Sequence, residues 1–196
     1  MASTSAPAKK PASSSTVPAI KTPCRIHSTA VIADKVQITG PHAVEIGENA
    51  VLQPHVKLRA EGGKIIIGKN TTVAEKAIIG FAAGQGEGDI VIGDYVHIDA
   101  GTRIEASRIG DGSSIEVNSV IGKGAVVGKD CKVTALNVVN EGEELPDFTV
   151  VFCDGQRRID QTMKDHAEIR TAKRLGQERT VALLQRLIPN VASKWL

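Results

Sequence analysis

The stretch Ile109-Gly-Asp-Gly-Ser-Ser-Ile115-Glu-Val-Asn-Ser-Val-Ile121-Gly-Lys-Gly-Ala-Val-Val127-Gly-Lys-Asp-Cys-Lys-Val133-Thr-Ala-Leu-Asn-Val-Val139-Asn-Glu-Gly-Glu-Glu-Leu145 puts an aliphatic residue at every sixth position without a break. That spacing is neither the 3.6 of a helix nor the alternation of a half-buried strand. It belongs to a chain that runs straight briefly, turns a corner and stacks on itself: a solenoid of short parallel strands.

The same beat extends toward the N-terminus, with slips where loops must lie. Ile20, Ile26, Ile32 and Ile38 share one phase, and Ile46, Leu52 and Leu58 a second, after Gly40-Pro41. Ile67, Val73 and Ile79 follow the Ala60-Glu61-Gly62-Gly63 excursion, and Ile92, Ile98 and Ile104 follow the insertion Phe81 to Asp89. Four residues after the anchors stand compact side chains: Ala50, Val56, Thr71, Ala77, Val96, Thr102, Ser113, Ser119, Ala125 and Cys131. A triangular coil leaves little inward room near its corners, so only such side chains fit. Gly47, Gly68, Gly80, Gly93, Gly110, Gly122 and Gly128 directly follow their anchors, as expected where the backbone bends without a Cβ in the way.

This pattern resembles the hexapeptide-repeat family over roughly residues 20 to 150. The resemblance implies a left-handed parallel β-helix with three strands per coil. The hand comes from the resemblance alone, since parallel crossovers are right-handed in most folds. The ends of such a prism are open strand edges that must be capped or meet a partner.

Composition divides the chain into three parts: a tail over 1–19, a β-helix over 20–155, and a C-terminal helical segment over 156–196 docking on it. The tail is rich in Ser, Ala, Pro and Lys and reads as disordered. It has no apolar run for a secretory signal, and no membrane-inserted segment is expected. Net charge is +2, with bases in excess before residue 24 and after 155. The prism between is therefore acidic. No aromatic residues interleave the basic ends, so nucleic acid is not an expected partner. The three cysteines show no CxxC spacing. Cys24 and Cys131 fall in the small-residue column and read as buried reduced thiols of a cytosolic protein, with Cys153 placed alike.

After Pro146 the beat stops. Thr162-Met-Lys-Asp165 has the look of a helix N-cap. Gly176 is a place where the helix bends or breaks. Val181, Leu184, Leu187 and Ile188 form an apolar face before Pro189, and they are the expected helix-docking residues against the side of the prism.

Two enzyme classes share the fold. A zinc site like that of γ-type carbonic anhydrases needs three imidazoles converging on one point. His27, His42, His55, His97 and His166 stand at different offsets from their anchors, so no metal site is expected. An acyltransferase, working as a homotrimer, needs one histidine as general base in a groove between subunits. His97, read as lying on a solvated strand, is the candidate for that alternative.

The segments Val150-Val-Phe-Cys-Asp-Gly-Gln-Arg-Arg158 and Leu183-Leu-Gln-Arg-Leu-Ile-Pro-Asn190 resemble the dynactin subunit 6 family. So do Arg59-Ala-Glu-Gly-Gly-Lys-Ile-Ile-Ile-Gly68 and Val73-Ala-Glu-Lys-Ala-Ile-Ile79. The resemblance implies a non-enzymatic scaffold of the dynactin pointed-end complex, in the cytoplasm and cytoskeleton, supporting dynein–dynactin engagement of cargo adaptors. The implied partners are dynactin subunit 5, as a second β-helix, the actin-related capping subunit and the zinc-binding dynactin subunit 4. No catalytic residue, cofactor or metal is implied. Phe81, Tyr95, Arg157, Arg158 and Trp195 are the expected partner-contact residues.

Overall fold

The computed structural model describes residues 22–195; the tail expected over 1–19 and the anchor Ile20 lie outside the described residues. Within that span the sixfold beat becomes three parallel sheets around one core. Sheet A has seven strands, from Cys24–Ile26 to Glu144–Leu145. Sheet B begins at Val31–Ile32 and sheet C at Gln37–Thr39. Successive strands visit A, B and C in turn, giving about six turns of solenoid.

Anchors stack on anchors. In sheet A, Ile26, Ile46, Ile67, Ile92, Ile109, Val127 and Leu145 lie in one register. Every anchor from Ile32 to Leu145 is buried. Burying such a side chain contributes about 1.5–3 kcal/mol, which is set against the ordering of the chain.

The compact column does more than fit the corner. Thr71 and Ser113 are fully buried, and their hydroxyls donate to Gly93 O at 2.9 Å and Gly128 O at 2.8 Å, one coil further on. Cys131 Sγ, also fully buried, lies 3.1 Å from Pro146 O. The glycines after the sheet-A anchors serve close stacking rather than a bend. A Cβ on Gly68 would sit 2.4 Å from Gly93 O, and one on Gly110 would sit 2.5 Å from the Gly128 carbonyl carbon.

The excursions at Gly40, at Ala60–Gly63 and at Phe81–Asp89 stack at one corner. His42 N donates to Ala60 O, Gly88 N to Gly62 O, and Lys64 N to Asp89 Oδ1.

Beyond residue 155 the chain departs from the expected division. Gln156–Ile159 is a strand, not helix, paired antiparallel with Thr149–Phe152 at the end of sheet B. The last coil leaves an unpaired strand edge, and the turn at Cys153-Asp154-Gly155, all at positive φ, folds the chain back to fill it. Helix α1 (Gln161–Asp165) follows, and its N-cap is Asp160 rather than Thr162. Asp160 holds extended backbone and accepts from Met163 N at 3.0 Å, whereas Thr162 already lies inside the helix. Helix α2 (Ala167–Leu187) passes through Gly176 without a break. It runs back along the outer face of sheet B and ends at the first coil. There Val191 N donates to Ile32 O, and the Asn190 side chain bonds Ile32 N and Ala30 O. The C-terminal tail thus caps the N-terminal edge of sheet B.

Candidate functional site

Outward-facing residues decide what a filled prism does, and each sheet offers one outer face. On face B the outward row is Val31, Val51, Thr72, His97, Ser114, Lys132 and Val150. Helix α2 covers its first five positions. Val181 is buried against Val31 and Val51, with Leu184 and Ile188 at the rim. The rest of the docking is polar. Gln177 Nε2 donates to Thr72 Oγ1 at 3.0 Å and to Asn70 O at 3.3 Å, Gln185 Nε2 to Thr29 O at 3.0 Å, and Lys173 Nζ to Gly112 O at 2.6 Å.

Of the expected helix-docking residues, Val181, Leu184 and Ile188 take that role. Leu187 does not: it is 66 % exposed, on the solvent side of α2. Lys173, Gln177 and Gln185 take its share. Their signal in the sequence is a polar continuation of the Val181–Leu184–Ile188 stripe at steps of three and four residues.

The expected contact residues are also redistributed. Phe81 is buried under its own insertion, its ring against Gly62 and Gly86, because the glycine-rich loop leaves a slot that only an apolar ring fills. Tyr95 sits at positive φ on the corner between sheets A and B, half-buried under α2. Its hydroxyl donates to Glu178 Oε1 at 2.9 Å, and the Arg174 guanidinium stands 5.7 Å from its ring. Arg157 caps the end of the prism, with Nε 2.7 Å from Glu143 Oε1 and Nη2 reaching Val138 O. Trp195 is half-buried against the core beside the Lys194–Asp34 ion pair. Arg158 remains exposed, 5.8 Å from the Phe152 ring. These side chains are spent largely within the chain.

His97 is not on a solvated strand. It is half-buried beneath α2, its Nδ1 2.7 Å from Thr72 Oγ1, at the edge of a cavity of about 470 Å³. Asp99, Ser114, Glu116, Asp130, Lys132 and Lys173 line that cavity with it. Burial lowers the His97 pKa, opposed by Asp99 and assisted by Lys173. Burial likewise lowers that of Lys173, against the pull of Asp130. Burial pushes Glu116 up, but Lys132 at 2.8 Å and Ala135 N–H carry its carboxyl below the ordinary range. A neutral imidazole in a polar cavity meets one requirement of a general base. Helix α2 packs over one side of the cavity, with Lys173 on its wall.

The other histidines are scattered. His27, His42, His55 and His166 are exposed at four separate places. Among the described residues of one chain, no three His, Cys, Asp or Glu side chains are grouped to hold a metal, and no helix is long and apolar enough to cross a membrane. Burial raises the Cys131 thiol to about 11, so it stays protonated. Cys153, expected to be buried, is exposed at the hairpin turn, because the chain must leave the prism there to reverse direction.

No family model matches the chain. It is 26% identical over 174 residues to dynactin subunit 6 of Nematostella vectensis, covering 85% of this chain and 89% of that protein. It is 28% identical over 144 residues to dynactin subunit 6 of Xenopus tropicalis, covering 69% and 71%. It is 27% identical over 117 residues to carnitine operon protein CaiE of Escherichia coli K12, covering 60% and 57%. In fold it is similar to a hexapeptide transferase family protein of Anaplasma phagocytophilum, with a TM-score of 0.69 and 22% identity over 83% of this chain and 91% of that one.

Proposed function

We propose that this chain is a non-enzymatic scaffold subunit of the dynactin pointed-end complex, of the subunit 6 kind. What carries the reading is the reach of the similarity. An alignment of 174 residues is longer than the prism and its hairpin, Cys24 to Ile159, so it takes in sequence beyond the hexads. The match to CaiE, at 117 residues, is short enough to fit within the repeats that any member of the superfamily would share.

The physical design agrees with a scaffold. A prism with a filled aliphatic core and a side-docked helix holds its faces at fixed spacing, and its selectivity resides in surface residues. Its partners in this reading are dynactin subunit 5 as a second β-helix, the actin-related capping subunit and the zinc-binding dynactin subunit 4. Its place is the cytoplasm and cytoskeleton, in dynein–dynactin transport. Co-expression with dynactin subunit 5, followed by light scattering of the purified product, tests it. A stable one-to-one heterodimer supports the reading, and a homotrimer that turns over an acyl donor overturns it.

The polar cavity at His97 favours one alternative: an acyltransferase of the hexapeptide-repeat superfamily. It requires that coenzyme A bind and that His97→Ala abolish turnover. Calorimetry showing no heat with coenzyme A removes it.

A further inference from the structure

The cavity of about 470 Å³ beside His97 lies between the prism and the helical segment, and its wall holds more acid than the chain's own contacts use. Its volume is within the range of small-molecule sites. The prism supplies Asp99, Glu116 and Asp130; the cap of α1 supplies Asp160, α1 supplies Met163, and α2 supplies Lys173.

Asp130 is the unusual member. It is 7 % exposed, and its Oδ1 lies where a Cβ on Gly112 would come within 2.3 Å, so only a glycine leaves room for it. Among the described residues its carboxylate has no hydrogen bond and no ion pair. Lys173 feels its charge, but the Lys173 ammonium is turned to Gly112 O at 2.6 Å. A carboxylate buried to that degree is costly to leave without a donor.

Other acids on the wall lack donors in the same way. Asp99 Oδ1 accepts from Ala100 N and Asp160 Oδ1 from Met163 N, and each leaves its second oxygen without a partner. Glu116 is already spent on Lys132 at 2.8 Å and on Ala135 N. Four carboxylates face the two ammoniums of Lys132 and Lys173, and His97 is held neutral by burial, so the wall carries an excess of negative charge. The carboxylates do not converge as a metal site would, since among the described residues no three His, Cys, Asp or Glu side chains are grouped to hold one. Val117 and Met163 add apolar surface. A fitting ligand therefore brings separated cationic donors on a short apolar body.

We propose that this cavity binds a small aliphatic diamine, its ammonium groups taken by Asp130 and Asp99 on the prism and by Asp160 at the head of α1, its methylenes against Val117 and Met163. Charge-assisted hydrogen bonds from an ammonium are what these oxygens lack. Because Asp160 belongs to the helical segment and Asp130 to the prism, the ligand ties the two together and holds α2 on face B. A scaffold can carry such a seat, so this goes beyond the scaffold reading and does not depend on it.

The test uses the full chain at neutral pH and diaminobutane with terminal amines, followed by calorimetry. Saturable binding at a single site is expected, with an unfolding midpoint that rises with amine concentration. Hydrogen exchange over residues 161–173 should slow on binding. Asparagine keeps the shape of Asp130 and tolerates its positive φ, so Asp130→Asn should fold and lose about tenfold or more in affinity. Asp99→Asn should weaken binding too, and Arg108→Gln, on the outer row of face A, should leave it unchanged. Butanediol, of similar shape without charge, should not bind. The proposal is overturned if diaminobutane gives no saturable heat, or if Asp130→Asn binds it like wild type. It is overturned as well if potassium chloride at matched ionic strength protects equally, since that is screening alone. A lowered midpoint for Asp130→Asn without amine would mean that the carboxylate is spent on Lys173, and the proposal fails.

Discussion

Glycine shows how differently one residue type can act along this chain. Gly68 does not need positive φ; it lies where one coil rests on the next, and an added Cβ would meet Gly93 O at 2.4 Å and its carbon at 2.5 Å. Gly176 lies mid-helix with nothing within 4 Å of the same position. Gly68→Ala should therefore cost about 1–3 kcal/mol through overpacking against backbone that cannot yield. Gly176→Ala should stabilise by about 0.5–1 kcal/mol through helix propensity. Urea unfolding of the two variants checks both signs. The period of the glycines is legible in the sequence. The reason for it, stacking instead of bending, depends on the neighbouring coil.

Helix α2 is the element whose docking was only half readable. An apolar 3.6-residue pattern collects Val181, Leu184, Leu187 and Ile188 together. The seated stripe instead runs Lys173, Gln177, Val181, Leu184, Ile188, because the part of face B that α2 covers offers valines at its first two coils and hydroxyls and carbonyls beyond them. Leu187 is one residue off that stripe and points to water. Val181→Ala should destabilise by about 1–3 kcal/mol and raise amide exchange along α2. Leu187→Ala should stay within about 0.5 kcal/mol of wild type. Equilibrium unfolding of both, with hydrogen exchange over residues 167–187, makes the comparison. Equal losses would mean that the helix sits in another rotation.

For the molecule as a whole, acid should act in two stages. His97 is held neutral by burial under α2, so its folded pKa lies below 6.5. Above 6.5 it makes no difference to stability; as pH falls below 6.5, unfolding takes up a proton and the fold, with its helix, loses stability. Asp99 and Glu116 face the ring and soften the effect, and Lys173 sharpens it. Glu116 and Glu143 have lowered pKa values in the fold, the latter held first by Arg157. Their contribution is present above 4.5 and is lost only as pH drops through the folded values. Denaturation across a pH series should show the first loss in wild type and not in His97→Gln, with the second loss common to both.

The solenoid, its anchors and its corner residues were readable from residues alone, because each coil fills the prism with its own side chains and a period of six survives any change in what surrounds it. Resemblance to a family added the partners as an expectation. What covers the outer faces was decided by segments far apart in the chain: α2 hiding His97 and Tyr95, the insertion closing over Phe81, Asn190 reaching back to Ile32. Whether an outward side chain meets water, a helix or a partner depends on which remote segment is laid over it, and no local pattern encodes that.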